Sequence, residues 1–223
     1  MRRAGLGLLI LLLVAACTRP ADGRFVQPSS LALPLGDRSS ASLSVVSGAQ
    51  KIGVKVADLG DDLLRVKVRD GQAPVLTHDG DDVSVRFGGG SLEVTLTSRV
   101  TWSSVALAGG ASGVSVDLRG ARLQRLDVTA GLDTAYVWLP APSGAVTASL
   151  SSASRATVYV PPNVATRVST RSGAGTVDID GVVTSGVGAG RVWTPSDWAG
   201  ENDRYDVVVQ GGVGELILAR ARR

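Results

Sequence analysis

From Leu43 to Leu218 the chain alternates apolar and polar residues with a period of two, and this pattern limits what it can fold into more than any other feature. The pairs and triplets Leu43/Val45, Val54/Val56, Leu64/Val66/Val68, Val83/Val85/Phe87, Leu92/Val94/Leu96 and Val114/Val116/Leu118 each read as a short strand with one buried face. The series continues through Leu126/Val128, Tyr136–Leu139, Val146/Ala148/Leu150, Thr157–Val160, Arg167–Ser169, Val177/Ile179, Tyr205–Val209 and Leu216–Leu218. No stretch long enough for a helix carries helical spacing. Between the runs lie Asp61-Asp62, Asp70-Gly71, Gly88-Gly89-Gly90, Gly109-Gly110 and Gly173-Ala174-Gly175, which tolerate positive φ or favour a turn. The chain is predicted to be all-β.

The segments between residues 107 and 182 look like loose copies at a spacing of roughly 20 residues. Val137-Trp138-Leu139-Pro140, Val158-Tyr159-Val160-Pro161 and Val177-Asp178-Ile179-Asp180 align best. Such a period predicts a single-stranded β-solenoid with short strands and Gly/Pro/Asp turns, each coil burying its apolar residues on the next. Aromatic residues make up only 4% of the chain and the copies are rich in Ser, Ala, Thr and Val, which suits a narrow interior. A β-sandwich is the alternative. It would need antiparallel hairpins with tight Asn-Gly or Asp-Gly turns. Asp-Gly occurs at Asp22, Asp70, Asp79 and Asp180, and Asn only at Asn163 and Asn202.

The start of the chain carries an address. Met1-Arg2-Arg3 precedes an uncharged run, Ala4–Ala16, that falls short of the roughly 20 residues a spanning helix needs and has the form of a secretory signal. It ends in Val14-Ala15-Ala16-Cys17, a lipobox built on the only cysteine. Residues 1–16 are therefore expected to be a lipoprotein signal peptide, and Cys17 to be diacylated, two acyl chains being what stable anchoring requires. Residues 17–30, polar with Pro20, Gly23 and Pro28, read as a lipid-anchored tether, 31–218 as the β-solenoid domain and 219–223 as a basic C-terminal tail. The expected location is extracytoplasmic, anchored to the cell membrane or an outer membrane. With Cys17 acylated no thiol is left for a disulfide, a metal or a nucleophile.

Without Arg2 and Arg3 the 23 basic residues fall to 21, against 20 acidic ones, so the mature chain is nearly neutral and has no basic face for nucleic acid. His78, the only histidine, sits in Thr77-His78-Asp79-Gly80-Asp81-Asp82 with no nucleophile motif beside it and reads as a turn residue. Asp79, Asp81 and Asp82 offer oxygen ligands but lack the distal glutamate of a calcium loop. Asp178 and Asp180 would share one face of a strand about 7 Å apart, as acid pairs do in polysaccharide-cleaving enzymes. No second acidic pair accompanies them. Gly186-Val187-Gly188-Ala189-Gly190 opens no helix and reads as a turn. Trp193 and Trp198, on the longest non-repeating stretch, are the candidate ligand contacts, the other reading being that they plug the end of the stack. Arg220–Arg223 reads either as a contact for acidic headgroups or wall polymers or as a frayed basic terminus. No catalytic, cofactor-binding or metal-binding residues are assigned.

The stretches Tyr159–Ser169 and Ser172–Gly181, with Arg204–Leu216 and Leu43–Val56, resemble the bacterial "toast-rack" or "putative adhesin" family of envelope β-solenoids, related to the C-terminal domain of LiaF-type cell-wall-active antibiotic response proteins. The resemblance spans most of residues 41–218 and rests on patterns of Gly, Pro and alternating aliphatics. It implies a non-catalytic envelope protein, adhesin-like or associated with envelope stress, whose partner is an envelope protein or cell-wall glycan. LiaF-type proteins carry several membrane helices, where this chain has the lipobox instead. Two other classes stay open: a carbohydrate-acting β-helical enzyme relying on Asp178 or Asp180, and a purely structural envelope lipoprotein.

Overall fold

The computed structural model describes residues 30–221, so the lipobox at Cys17, most of the tether and the last two arginines lie outside the described residues. The described residues contain 17 strands and no helix. In chain order these are β1 (Ser30–Pro34), β2 (Ser40–Ala57), β3 (Asp62–Asp70), β4 (Val75–Asp79), β5 (Asp82–Gly88), β6 (Ser91–Thr97), β7 (Thr101–Ala108), β8 (Ala111–Asp117) and β9 (Arg122–Leu123). They are followed by β10 (Arg125–Trp138), β11 (Ala145–Val160), β12 (Ala165–Thr170), β13 (Ala174–Ile179), β14 (Val182–Val187), β15 (Arg191–Trp193), β16 (Arg204–Val209) and β17 (Val213–Arg220).

Three of these strands are long and bent. In β2 the buried positions run Ala41, Leu43, Val45, Ser47, Ala49 and then Ile52, Val54. The parity changes at Gln50 and Lys51, two successive exposed residues where the strand turns a corner and keeps facing one core on both sides of it. β11 shifts twice, at Ser151/Ser152 and at Ser154/Arg155 on either side of buried Ala153, so that Val146/Ala148/Leu150 and Ala156/Val158/Val160 both face the core. The first half of β2 pairs in parallel with β5 and β7, the second half with β6 and β8. One continuous hydrophobic cluster runs from Leu33 to Leu218, and each fully buried Val or Leu contributes about 1.5–3 kcal/mol to holding it together.

The expected single-stranded β-solenoid is not what the chain builds. β2 pairs with both β7 and β8, and both of these pair with β10, so the parallel strands return on themselves in a closed, barrel-like array, with further strands added at its edges. Nor do the segments stack in chain order throughout, although β7/β8, β10 and β11 do. β2 lies between β5/β6 and β7/β8, and β16/β17 lies between β11 and β12/β13. The 20-residue spacing was a true guide along β7/β8, β10 and β11: Val116 pairs with Val137, and Val137 in turn with Val158. The next copy, Val177–Ile179, is separated from β11 by β17, whose Leu218 faces Val158 on one side and Ile179 on the other.

Two of the Asp-Gly signals, at Asp79 and Asp180, do make antiparallel hairpins; Asp70-Gly71 does not, since β3 pairs with β1 and β6 and not with β4. β13 turns into β14 through Asp180 and Gly181, both at positive φ (54° and 88°), the pattern of a tight type I′ turn. β4 turns into β5 around Gly80. Tyr205 on β16 is fully enclosed and donates its hydroxyl hydrogen to the Pro140 carbonyl at 2.9 Å. Burial also pushes its phenol well above the ordinary range, so the hydroxyl stays protonated and keeps donating.

Candidate functional site

The second half of β2 forms, with β6, β8 and β10, an outward face whose composition follows from the register. Ile52, Val54, Val114, Val116, Ala135 and Val137 point into the core, so their neighbours point out. One outward row runs Glu93, Gly53, Ser115, Tyr136 across the four strands. The row before it brings together Ser91, Lys51, Gly113 and Thr134, and the row after it Thr95, Lys55, Asp117 and Trp138.

Two glycines in the middle of these rows leave a slot of about 540 Å³. Its floor is Gly53, Gly113 and Ser115, with lysines, Arg69 and Glu93 on one wall and Tyr136 on the other. Neither glycine is required by packing. A Cβ on Gly53 would meet nothing nearer than the Leu92 carbonyl oxygen at 3.9 Å, and one on Gly113 nothing nearer than the Lys51 side chain at 3.9 Å. Glycine inside a strand costs about 0.5–1 kcal/mol relative to alanine. The fold bears that cost at two adjacent strands, and what results is the open slot.

Beside the slot the aromatic rings line up. Trp138 and Tyr159, cross-strand partners, have ring centroids 5.0 Å apart with planes 9° from parallel. Tyr136 lies 6.1 Å from Trp138 at 25°. Tyr136 is 40% exposed, a large fraction for an aromatic ring on a packed sheet, and it makes the slot continuous with this strip.

The charges on the slot are partly matched. Glu93 forms an ion pair with Lys55 and lies 3.9 Å from the Arg69 guanidinium. The Lys55 hydrogen bond, helped by the charges of Lys55, Arg69 and Lys67 and opposed by partial burial, holds the Glu93 carboxyl below the usual range. Arg119 does the same for Asp117, donating to its two oxygens at 2.9 and 2.6 Å. A carboxylate whose folded pKa is depressed stabilises the fold above its unfolded value, and that contribution is lost as pH falls through the folded one. For Glu93 the increment is therefore complete above its ordinary value of 4.5 and is lost only in more acidic solution. Glu93→Gln is expected to lower stability by less than about 1 kcal/mol at pH 7, as for partly exposed pairs. The same substitution should flatten the acid limb of thermal unfolding measured against pH. An acid limb identical to that of the parent chain would show that the pair contributes nothing.

The residues singled out in the sequence lie elsewhere. Trp193 is on β15 opposite Val168, half-buried against the core. Trp198 lies in the loop before β16, with the Arg167 and Arg204 guanidinium carbons 4.6 and 5.0 Å from its ring. Arg167 also holds Asp206 through two hydrogen bonds of 3.1 and 2.5 Å. His78 is exposed on β4 opposite Val83. Asp81 accepts from the Ser40 hydroxyl at 3.1 Å and Asp82 from the Ser42 hydroxyl at 2.6 Å. Asp178 accepts the Gly181 amide at 2.8 Å, and Asp180 pairs with Arg220, itself on β17, at 3.0 Å. Of the glycine-rich segment 186–190, Gly186 and Val187 end β14 and residues 188–190 link it to β15, tied down by the Gly190 amide, which donates to the Thr170 carbonyl at 2.8 Å. Among the described residues no group of three or more His, Cys, Asp or Glu is arranged to hold a metal ion, and no helix is long and apolar enough to cross a membrane.

The slot and its aromatic strip were not anticipated from the sequence. The signal was present in the outward parity of Tyr136 and Trp138, which alternate with buried Val137 and Leu139.

Comparison with protein-family models and with curated protein sequences finds no match. Among solved structures, one described as a "putative cell adhesion protein" from Clostridium sporogenes ATCC 15579 is similar, with a TM-score of 0.69 over 86% of this chain and 98% of that one. At 14% identity, what the two share is the fold.

Proposed function

We propose that this protein is a non-catalytic, lipid-anchored envelope protein that works as an adhesin-like binding module and takes cell-wall glycan in the slot between Gly53, Gly113 and Tyr136. The observation that carries this reading is the pair of glycines that packing does not require, beside an exposed tyrosine. Open, shallow sites with an aromatic wall and a few polar groups suit sugar rings, which present an apolar face and a rim of hydroxyls. The fold shared with a protein described as a putative cell adhesion protein agrees with an adhesin-like role. The enzyme reading is the weaker one, because Asp178 is engaged by the Gly181 amide and Asp180 by Arg220.

Two experiments test the two parts of the proposal. A Cβ on Gly113 meets nothing nearer than the Lys51 side chain at 3.9 Å, and Gly113→Phe in the full chain places a ring over the slot floor, so stability should hold while retention on wall glycan falls about tenfold or more, as for loss of a central contact. Unchanged retention by a folded Gly113→Phe chain would remove the slot from the function. For the anchor, Cys17→Ser is expected to abolish incorporation of a palmitate label and release the protein from the membrane fraction. A variant that keeps the label would remove Cys17 as the lipid site.

A further inference from the structure

The wall of the slot opposite Tyr136 carries more positive charge than it matches. Lys51, Lys55 and Arg69 line the slot, and Lys67 stands next to Glu93 in the cross-strand row. Against them stand Glu93 and Asp70. Asp70 is turned into the chain, accepting the Ser91 amide at 2.6 Å, and Glu93 is held by Lys55. Asp117, on the far side, is matched by Arg119. The Lys51 ammonium has no hydrogen-bond or ion-pair partner among the described residues; the backbone amide of Lys51 donates to the Gly90 carbonyl, and the residue borders the Gly113 floor. In a chain whose charges nearly cancel, this is a local surplus of cations beside an aromatic wall.

From this arrangement we infer that the slot selects acidic saccharide units, the pyranose ring lying against Tyr136 and its carboxylate reaching Lys51 and the adjacent cations. The inference rests on the glycan-binding reading above and adds to it the charge of the ligand. A neutral sugar would leave Lys51 solvated and gain only the aromatic contact. An acidic one adds a charge-assisted hydrogen bond, short-ranged and screened by salt.

The test uses the full chain in detergent micelles, with hexagalacturonate and its carboxyl-reduced neutral hexamer as probes in calorimetric titration. The acidic hexamer is expected to bind about tenfold more tightly near 0.15 M salt, where screening acts over about 8 Å, and the preference should shrink at 1 M salt. Lys51→Gln should weaken the acidic hexamer about threefold to fivefold, the range of an exposed charge pair, and leave the neutral one unchanged. Equal affinity for the two hexamers, or a Lys51→Gln chain with the full preference, would overturn the acidic selection while glycan binding stood. Failure of both hexamers to bind, with wall-glycan retention still sensitive to Gly113→Phe, would likewise overturn it. If neither hexamer binds and Gly113→Phe changes nothing, the selection and the binding reading fall together.

Discussion

Trp102→Ala is expected to lower the stability of the fold by about 3–5 kcal/mol, the range for emptying a large buried aromatic site. The side chain is fully enclosed on β7, where Trp102 pairs with Ala41 of β2 and Leu123 of β9. Its indole N–H donates to the Thr97 carbonyl at 3.0 Å, and Thr97 is itself buried. Truncation therefore opens a cavity and leaves a carbonyl without its donor. For a chain of this size the loss corresponds to a fall of about 10 °C in Tm, readable by circular dichroism. Trp102→Phe should lie between, keeping much of the volume while losing the rest of the indole and its hydrogen bond. A Tm within a few degrees of the parent for the alanine variant would mean that the site collapses around the lost ring at little cost.

Gly109→Val should be at least as damaging, for a reason of backbone and not of volume. Gly109 lies in the turn between β7 and β8 at φ +106°, and a Cβ there would sit 1.8 Å from the Ser47 carbonyl oxygen of β2. The obstacle is main chain, at the bent strand on which four others pair, so no side-chain rotation relieves it. Strained backbone costs about 1–3 kcal/mol and forced overpacking a similar amount, giving about 4 kcal/mol in total. The neighbouring Gly110 is the control: a Cβ there meets nothing within 4 Å, and Gly110→Ala should be nearly neutral. Equal melting temperatures for the two variants would show that Ser47 moves aside at little cost.

The strands were legible where period two survives and hidden where it breaks. β7 escaped because Ser103 is an extra residue against β2: Ala41 pairs with Trp102 and Ser42 with Ser104, a bulge that shifts the buried positions from Trp102 to Val105. β14 escaped because both its leading valines, Val182 and Val183, are exposed, so no inner face betrays a strand. Leu43/Val45 and Val54/Val56 read as two strands because the bend at Gln50 and Lys51 reverses parity within one. Architecture was less legible than strand content, since sequence spacing reports neighbours in the chain and β16/β17 enters between older neighbours. The slot was out of reach for the same reason. Gly53, Ser115 and Tyr136 come from segments far apart in sequence, and only the register of β2, β8 and β10 sets them in one row.

The place of β16/β17 between β11 and β12/β13 also governs how the chain can be made. A ribosome releases the chain N-terminus first, and the partners that β12 and β13 need are the last strands to emerge. Residues 165–179 must therefore wait, without their parallel neighbours, until synthesis reaches Arg220. The C-terminal half is finished by its last segment, and a chain cut short before residue 204 would lose not one strand pair but the attachment of everything after β11.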